Sequence, residues 1–156
     1  MDTCGYCSRE ILEKLLPYVD LVPLDLKVFD SDKHEKYIGV PNETILKNAV
    51  WISNYVNGQG KIFWNRTPII PNYTATDDNV RKIGEFISNN LDNIPEQRDL
   101  LSFNRLCEST YSRLGITWVL KDTPLMTKEE MERFLEIAKN TAAKNVRWSG
   151  LTKKVS

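Results

Sequence analysis

Asp25 and Lys27 stand two residues apart in the run VDLVPLDLKVF, so on an extended strand both side chains leave the same face. In a parallel sheet covered on both faces a strand reads as a nearly continuous apolar run, and a charge inside one needs a partner. Two opposite charges on one face therefore meet each other or a polar ligand. Two later runs end on polar groups in the same way. Arg66 follows the strand-like stretch in KIFWNRTP and precedes a Thr-Pro turn, and Asn104 takes the matching place in DLLSFNRL. β/α folds assemble their sites at the carboxyl ends of the strands, where these residues are expected. The structural alternatives are an ion pair closing the end of the sheet for Asp25 and Lys27, a surface salt bridge for Arg66 and a loop cap for Asn104. The repetition at three consecutive strand ends favours a site.

The thiols offer a different chemistry. Cys4 and Cys7 form a C-x-x-C ahead of a helical pattern, the arrangement by which thioredoxin-like proteins present a reactive thiol. Such a fold sets a strand before the motif, whereas three residues precede Cys4 here, which argues against that reading. Zinc is disfavoured too, because two cysteines with a distant Cys107 and a single histidine make no standard ligand spacing. His34, in the charged stretch SDKHEKY, reads as a solvated surface residue.

The elements that must position these residues alternate. From Ser8, a good N-cap, SREILEKLLPYV places Ile11, Leu12, Leu15 and Leu16 on one helical face, and the strand carrying Asp25 follows. A short helix over SDKHEKY, a longer one opening near Asn42 and the run KIFW repeat the unit. Val80, Ile83, Phe86, Ile87 and Leu91 give DDNVRKIGEFISNNL an amphipathic helical spacing before the third strand. A capping box from Thr127 to Glu130 opens the last helix, which leads to the short piece NVRW. The fold class is α/β, with parallel strands flanked by helices. Three or four such units without a glycine-rich phosphate loop fit part of a β/α barrel and fall short of a closed eight-stranded one. No internal boundary interrupts residues 1–156, which read as a single domain.

Composition narrows the partners. Lysine plus arginine balances aspartate plus glutamate at 21 each, and the charges are interspersed, so nucleic acid is not expected. No stretch reaches the roughly 18 to 20 apolar residues of a membrane span, and the N-terminus has no signal-peptide pattern. A cytoplasmic protein with reduced thiols is the expectation.

Taken in order, DTCGYC, LLPYVDLV with LDLK, FDSDKHEKYIGVPNETIL, RTPIIPNY and FNRLCESTYSRLG resemble the activating enzymes of glycyl radical enzymes, whose best-known member activates pyruvate formate-lyase. The resemblance implies the later β/α units of a partial radical S-adenosylmethionine barrel. It also implies a four-iron four-sulfur cluster held by a CxxxCxxC motif, reductive cleavage of S-adenosylmethionine, and hydrogen abstraction from a backbone glycine of a partner such as pyruvate formate-lyase, a diol dehydratase or an arylsuccinate synthase. The CxxxCxxC triplet is not in this sequence, and Cys4 and Cys7 fall at the later DTCGY segment, so no cluster ligand is assigned. The chain is thus expected to be the C-terminal part of such an enzyme and inactive by itself, or else a non-catalytic docking domain. The resemblance assigns Asp25, Lys27 and Arg66 to cofactor binding, and Asp2 and Thr3 to a monovalent cation beside the cofactor carboxylate. Asn104 stands where the best-known member has histidine; it keeps hydrogen-bonding capacity but cannot titrate. Cys107 replaces a glycine often seen there. Asp25, Lys27, Arg66 and Asn104 are expected to converge on one open face, with an exposed sheet edge beside the strand carrying Asp25.

Overall fold

The computed structural model describes residues 1–92, 94–141 and 143–153. Helix α1 (Arg9–Leu15) and a 3-10 turn (Leu16–Tyr18) lead into strand β1 (Leu21–Asp25). Two helices, α2 (Ser31–Ile38) and α3 (Glu43–Val56), precede β2 (Ile62–Ile69). Helix α4 (Asp77–Asn90) then connects to β3 (Gln97–Ser102), and α5 (Glu108–Arg113) and α6 (Lys128–Lys139) connect to β4 (Val146–Ser149). All neighbouring strands are parallel, in the order β1-β2-β3-β4. Each successive strand is added on the same side of its predecessor, so crossovers of a single hand put their helices on one face of the sheet.

That topology explains an alternation the sequence reading does not anticipate. Burial alternates along β1 and β2, with Val22, Leu24, Phe63, Asn65, Thr67 and Ile69 buried and the alternate residues partly exposed. The sheet is covered by helices on one face and open on the other, so these strands are not the two-sided apolar runs of a doubly wound sheet. Under the covered face, Leu12, Leu16, Ile45, Ala49, Ile52, Ile83 and Ile87 pack with Val22, Leu24 and Phe63. A second cluster joins Ile69, Val80 and Leu100 to Met131, Phe134 and Ala138. Each fully buried side chain of this size contributes about 1.5–3 kcal/mol.

Local signals set the helix starts. Thr76 accepts from the Asn79 amide, Asp30 from the Lys33 amide, and Thr127 and Glu130 exchange both bonds of the expected capping box. Helix α2 stops at Gly39, whose φ of 93° is the left-handed cap that glycine adopts without strain. Ser8 starts α1 from an extended backbone, but its hydroxyl makes no cap bond.

Four expectations change. The Thr-Pro pair is not a turn: β2 runs through Thr67 and Pro68 to Ile69, which leaves Arg66 in mid-strand. Strand β1 stops at Asp25, so Lys27 lies just beyond it, in a segment tied on by the Leu26 amide donating to Arg66 O at 2.9 Å. His34 is 2% exposed and its Nδ1 lies 2.6 Å from Val40 O, because α2 turns that side of the charged stretch inward. The edge beside β1 is partly taken: Thr3 bridges to Leu24 in parallel, with Thr3 N donating to Pro23 O at 3.1 Å and Asp25 N to Thr3 O at 3.0 Å. Helix α5, whose segment the sequence reading leaves unassigned, is stabilised by ring stacking of Tyr111 and Phe103 on Trp118 at 5.9 and 6.0 Å.

Candidate cofactor-binding site

The open face of the sheet carries a row of charges in direct register. Asp25 pairs with Arg66, Arg66 with Asp99 and Asp99 with Arg147, one residue from each strand. The row reads minus, plus, minus, plus across strands spaced about 4.8 Å apart. Arg66 Nε donates to Asp25 Oδ1 at 2.8 Å, and its Nη2 lies 2.7 Å from the same oxygen. Its two terminal nitrogens also grip both carboxylate oxygens of Asp2, Nη1 donating to Oδ2 at 2.8 Å and Nη2 to Oδ1. Lys27 Nζ lies 3.5 Å from Asp25 Oδ2. Two carboxylates and two cations thus make one charge-balanced group, with the Asp25, Lys27 and Arg66 side chains 20%, 27% and 21% exposed. Burial pulls the Arg66 guanidinium down, but Asp2 and Asp25 together outweigh it and leave the group raised.

The fold delivers these side chains through polar clamps on backbone carbonyls. Asn79 of α4 donates to Lys27 O at 3.1 Å and Thr74 O at 3.2 Å, and its Oδ1 accepts the Phe29 amide at 2.9 Å. Asn42 donates to Val28 O at 3.0 Å and to Phe29 O at 2.6 Å. Asn48 donates to Gly5 O at 2.7 Å and Cys7 O at 2.9 Å, which holds the segment carrying Asp2 and Thr3 against α3. These buried amides satisfy carbonyls of the loop after β1 and of two neighbouring loops.

Of the residues predicted from the sequence, the structure brings Asp25, Lys27, Arg66 and Asp2 together. Thr3 is adjacent, with its hydroxyl accepting the Gly5 amide at 2.9 Å. Asn104 follows β3 by two residues, and its Oδ1 accepts the Leu106 amide at 3.0 Å, which is the loop-capping arrangement. The sequence reading misses Asp99, Arg147 and Trp64. Asp99 is 6% exposed and receives Ser149 Oγ at 3.2 Å and Arg147 Nη2 at 3.5 Å, while the Arg147 guanidinium lies 5.8 Å from the Trp64 ring. The alternation in QRDLLS carries part of that signal; the pairing with β2 and β4 does not show in the local sequence.

Among the described residues the Lys27 ammonium is paired only with Asp25, and Asp2 is 64% exposed, so the group has both donors and acceptors for the polar end of an amino-acid-like ligand. A metal cluster fits less well. Cys4, Cys7 and Cys107 are free, and among the described residues no three His, Cys, Asp or Glu side chains lie together in a metal-holding arrangement. Burial, then the charge of Cys4, raises the Cys7 thiol above its ordinary range. Among the described residues no helix is long and apolar enough to cross a membrane.

No protein-family model matches the sequence. Among curated proteins, 4-hydroxyphenylacetate decarboxylase activating enzyme of Clostridium scatologenes is 32% identical over 137 residues, 88% of this chain and 42% of the relative. Choline trimethylamine-lyase activating enzyme of Oleidesulfovibrio alaskensis is 30% identical over 85% of this chain, and pyruvate formate-lyase-activating enzyme of Staphylococcus aureus is 34% identical over 78% of it. By sequence the chain groups with the glycyl-radical-enzyme activating enzymes. It spans less than half the length of the curated relatives it matches, 42% to 49% of these three. The fold agrees: a domain of pyruvate-formate lyase-activating enzyme from Bacteroides vulgatus superposes over 96% of this chain and 79% of that one, with a TM-score of 0.72 at 21% identity. Streptococcus suis SuiB superposes over 96% of this chain with a TM-score of 0.63. Four parallel strands with helices on one face match the partial-barrel architecture expected from the sequence.

Proposed function

We propose that this chain is the cofactor-orienting part of a radical S-adenosylmethionine activating enzyme that serves a glycyl radical enzyme. The observation that carries the reading is the convergence of Asp2, Asp25, Lys27 and Arg66 on the open sheet face, together with the kinship of the sequence. Lys27 and Asp25 would hold the polar end of S-adenosylmethionine, which, when bound, supplies a reductively cleavable carbon–sulfur bond. Arg66 fixes the Asp25 carboxylate through two nitrogens and so keeps one Asp25 oxygen, Oδ2, turned toward Lys27. The monovalent-cation role assigned to Asp2 and Thr3 requires Asp2 to exchange Arg66 for the ion, since Arg66 engages both of its oxygens. The thiols present do not fit a four-iron four-sulfur cluster, and no step is routed through one.

The open face is also where a partner's glycine segment would have to enter, and its encounter with a charge-balanced cleft is a transient one. The test is an anaerobic assay of this chain joined to a CxxxCxxC-bearing segment, with a reductant and each candidate glycyl radical enzyme. 5'-Deoxyadenosine together with a glycyl radical signal on one partner is the expected result. No nucleoside product from a folded, cluster-loaded protein overturns the reading.

A further inference from the structure

One motif takes no part in this site. Cys4, Gly5, Tyr6 and Cys7 form the turn between the Asp2–Thr3 segment and α1, and both cysteines are free thiols. We propose that Cys4 and Cys7 are a reversible dithiol–disulfide pair, a modification site that staples the segment presenting Asp2 to the start of α1.

Two cysteines three apart reach disulfide geometry only where the chain folds back between them. It does so here: Gly5 has a φ of 73°, and the Cys7 amide donates to Gly5 O at 3.1 Å. Glycine is needed on two counts, since the left-handed backbone disfavours a side chain and an added Cβ would stand 3.0 Å from Leu24 Cδ1. The turn is held from outside as well. Asn48, 6% exposed, donates to Gly5 O at 2.7 Å and to Cys7 O at 2.9 Å, so the turn between the two cysteines is fixed against α3 before any bond forms. The thiols are unequal. Cys4 is exposed and Cys7 is half-buried against the core. Cys107 is exposed at the start of α5, beyond β3, and belongs to another part of the fold.

The exposed Cys4 sulfur therefore meets a soluble disulfide first. It attacks one sulfur of glutathione disulfide and releases one glutathione thiolate, which takes up a proton. Cys7 sulfur then attacks the Cys4 sulfur of the mixed disulfide and expels the second glutathione. The protein loses two electrons and two protons, and one glutathione disulfide becomes two glutathione thiols.

The experiment equilibrates the full chain in glutathione redox buffers, quenches with acid and alkylates. In the wild type, free thiols should fall from three to one, and the tryptic peptide Met1–Arg9 should lose the mass of two hydrogens without alkylating. The Cys107→Ser variant should behave identically at that peptide. In Cys7→Ser a glutathione adduct should persist on Cys4, because the resolving sulfur is gone. Closing so short a loop should raise the thermal midpoint by about 4–8 °C on oxidation, reversed by dithiothreitol. A persistent glutathione adduct on Cys4 in the wild type, or a lowered midpoint on oxidation, overturns the proposal.

Discussion

Replacing Arg66 with methionine and, separately, Lys27 with alanine separates the two cations that face Asp25. Arg66 places two nitrogens on Asp25 Oδ1 at 2.8 and 2.7 Å, and both side chains are about four-fifths buried. Methionine keeps most of the volume but leaves the carboxylate with Lys27 alone, at 3.5 Å, too far for a strong hydrogen bond. Bonds to a charged group contribute about 1.5–3 kcal/mol, and the contact to the exposed Asp2 adds little after solvent screening. Arg66→Met should therefore cost about 2–3 kcal/mol, which lowers the thermal midpoint of a chain this size by about 5–10 °C. Lys27→Ala leaves the Arg66 contacts to Asp25 intact and should cost about 0.5 kcal/mol, a shift of about 1–2 °C. Urea and thermal unfolding of both variants, with the denaturant slope unchanged, give the comparison. Equal losses, or an unchanged midpoint for Arg66→Met, refute the assignment of Arg66 as the group that positions Asp25.

Gly84→Ala should be among the most damaging small substitutions, at about 2–3 kcal/mol by urea unfolding, because its Cβ would stand 2.7 Å from Thr141 Cβ and collide with the buried Arg98 guanidinium. Asn79→Ala removes three hydrogen bonds to Phe29, Lys27 and Thr74 and should cost about 2–3 kcal/mol, with faster hydrogen exchange at the Phe29 amide than at the Leu24 amide. Arg98, 1% exposed with its Nε unpartnered among the described residues, is pushed down to about 10 by burial. Its charge is a constant cost at neutral pH. From about pH 10 upward the native state releases that proton before the unfolded chain does, so the Arg98 contribution becomes more favourable as pH rises. The urea midpoint of wild type relative to Arg98→Met should then rise between pH 9 and pH 10.5, values chosen to bracket that transition.

The helix start at Thr127, the amphipathic stripe of α4 and the pairing of Asp25 with Lys27 were all legible, since each rests on spacing within one segment. What was not legible depends on which strand lies beside which. The Arg66 clamp on Asp2 joins residues 64 apart, and the opposition of Asp99 to Arg66 and Arg147 exists only once three strands are in register. The Thr-Pro pair misled because proline usually ends a central strand by removing a donor. Here Pro68 still pairs by register with Leu101, and Thr67 faces the helices, so the strand continues. Asn104 carried a loop signal that the structure shows, its Oδ1 accepting the Leu106 amide. His34 was misjudged because the charges around it describe the exposed sides of α2, while one turn of that helix points inward.

The central claim is that the open sheet face around Asp25, Lys27 and Arg66 binds S-adenosylmethionine, and amide chemical-shift mapping of this chain during titration with that compound tests it most directly. Shifts should cluster on residues 2–3, 25–27 and 64–67 and vanish in Lys27→Ala while its unfolding midpoint stays close to wild type. Shifts confined to the opposite, helix-covered side, or a Lys27→Ala variant that binds as wild type does, would contradict it.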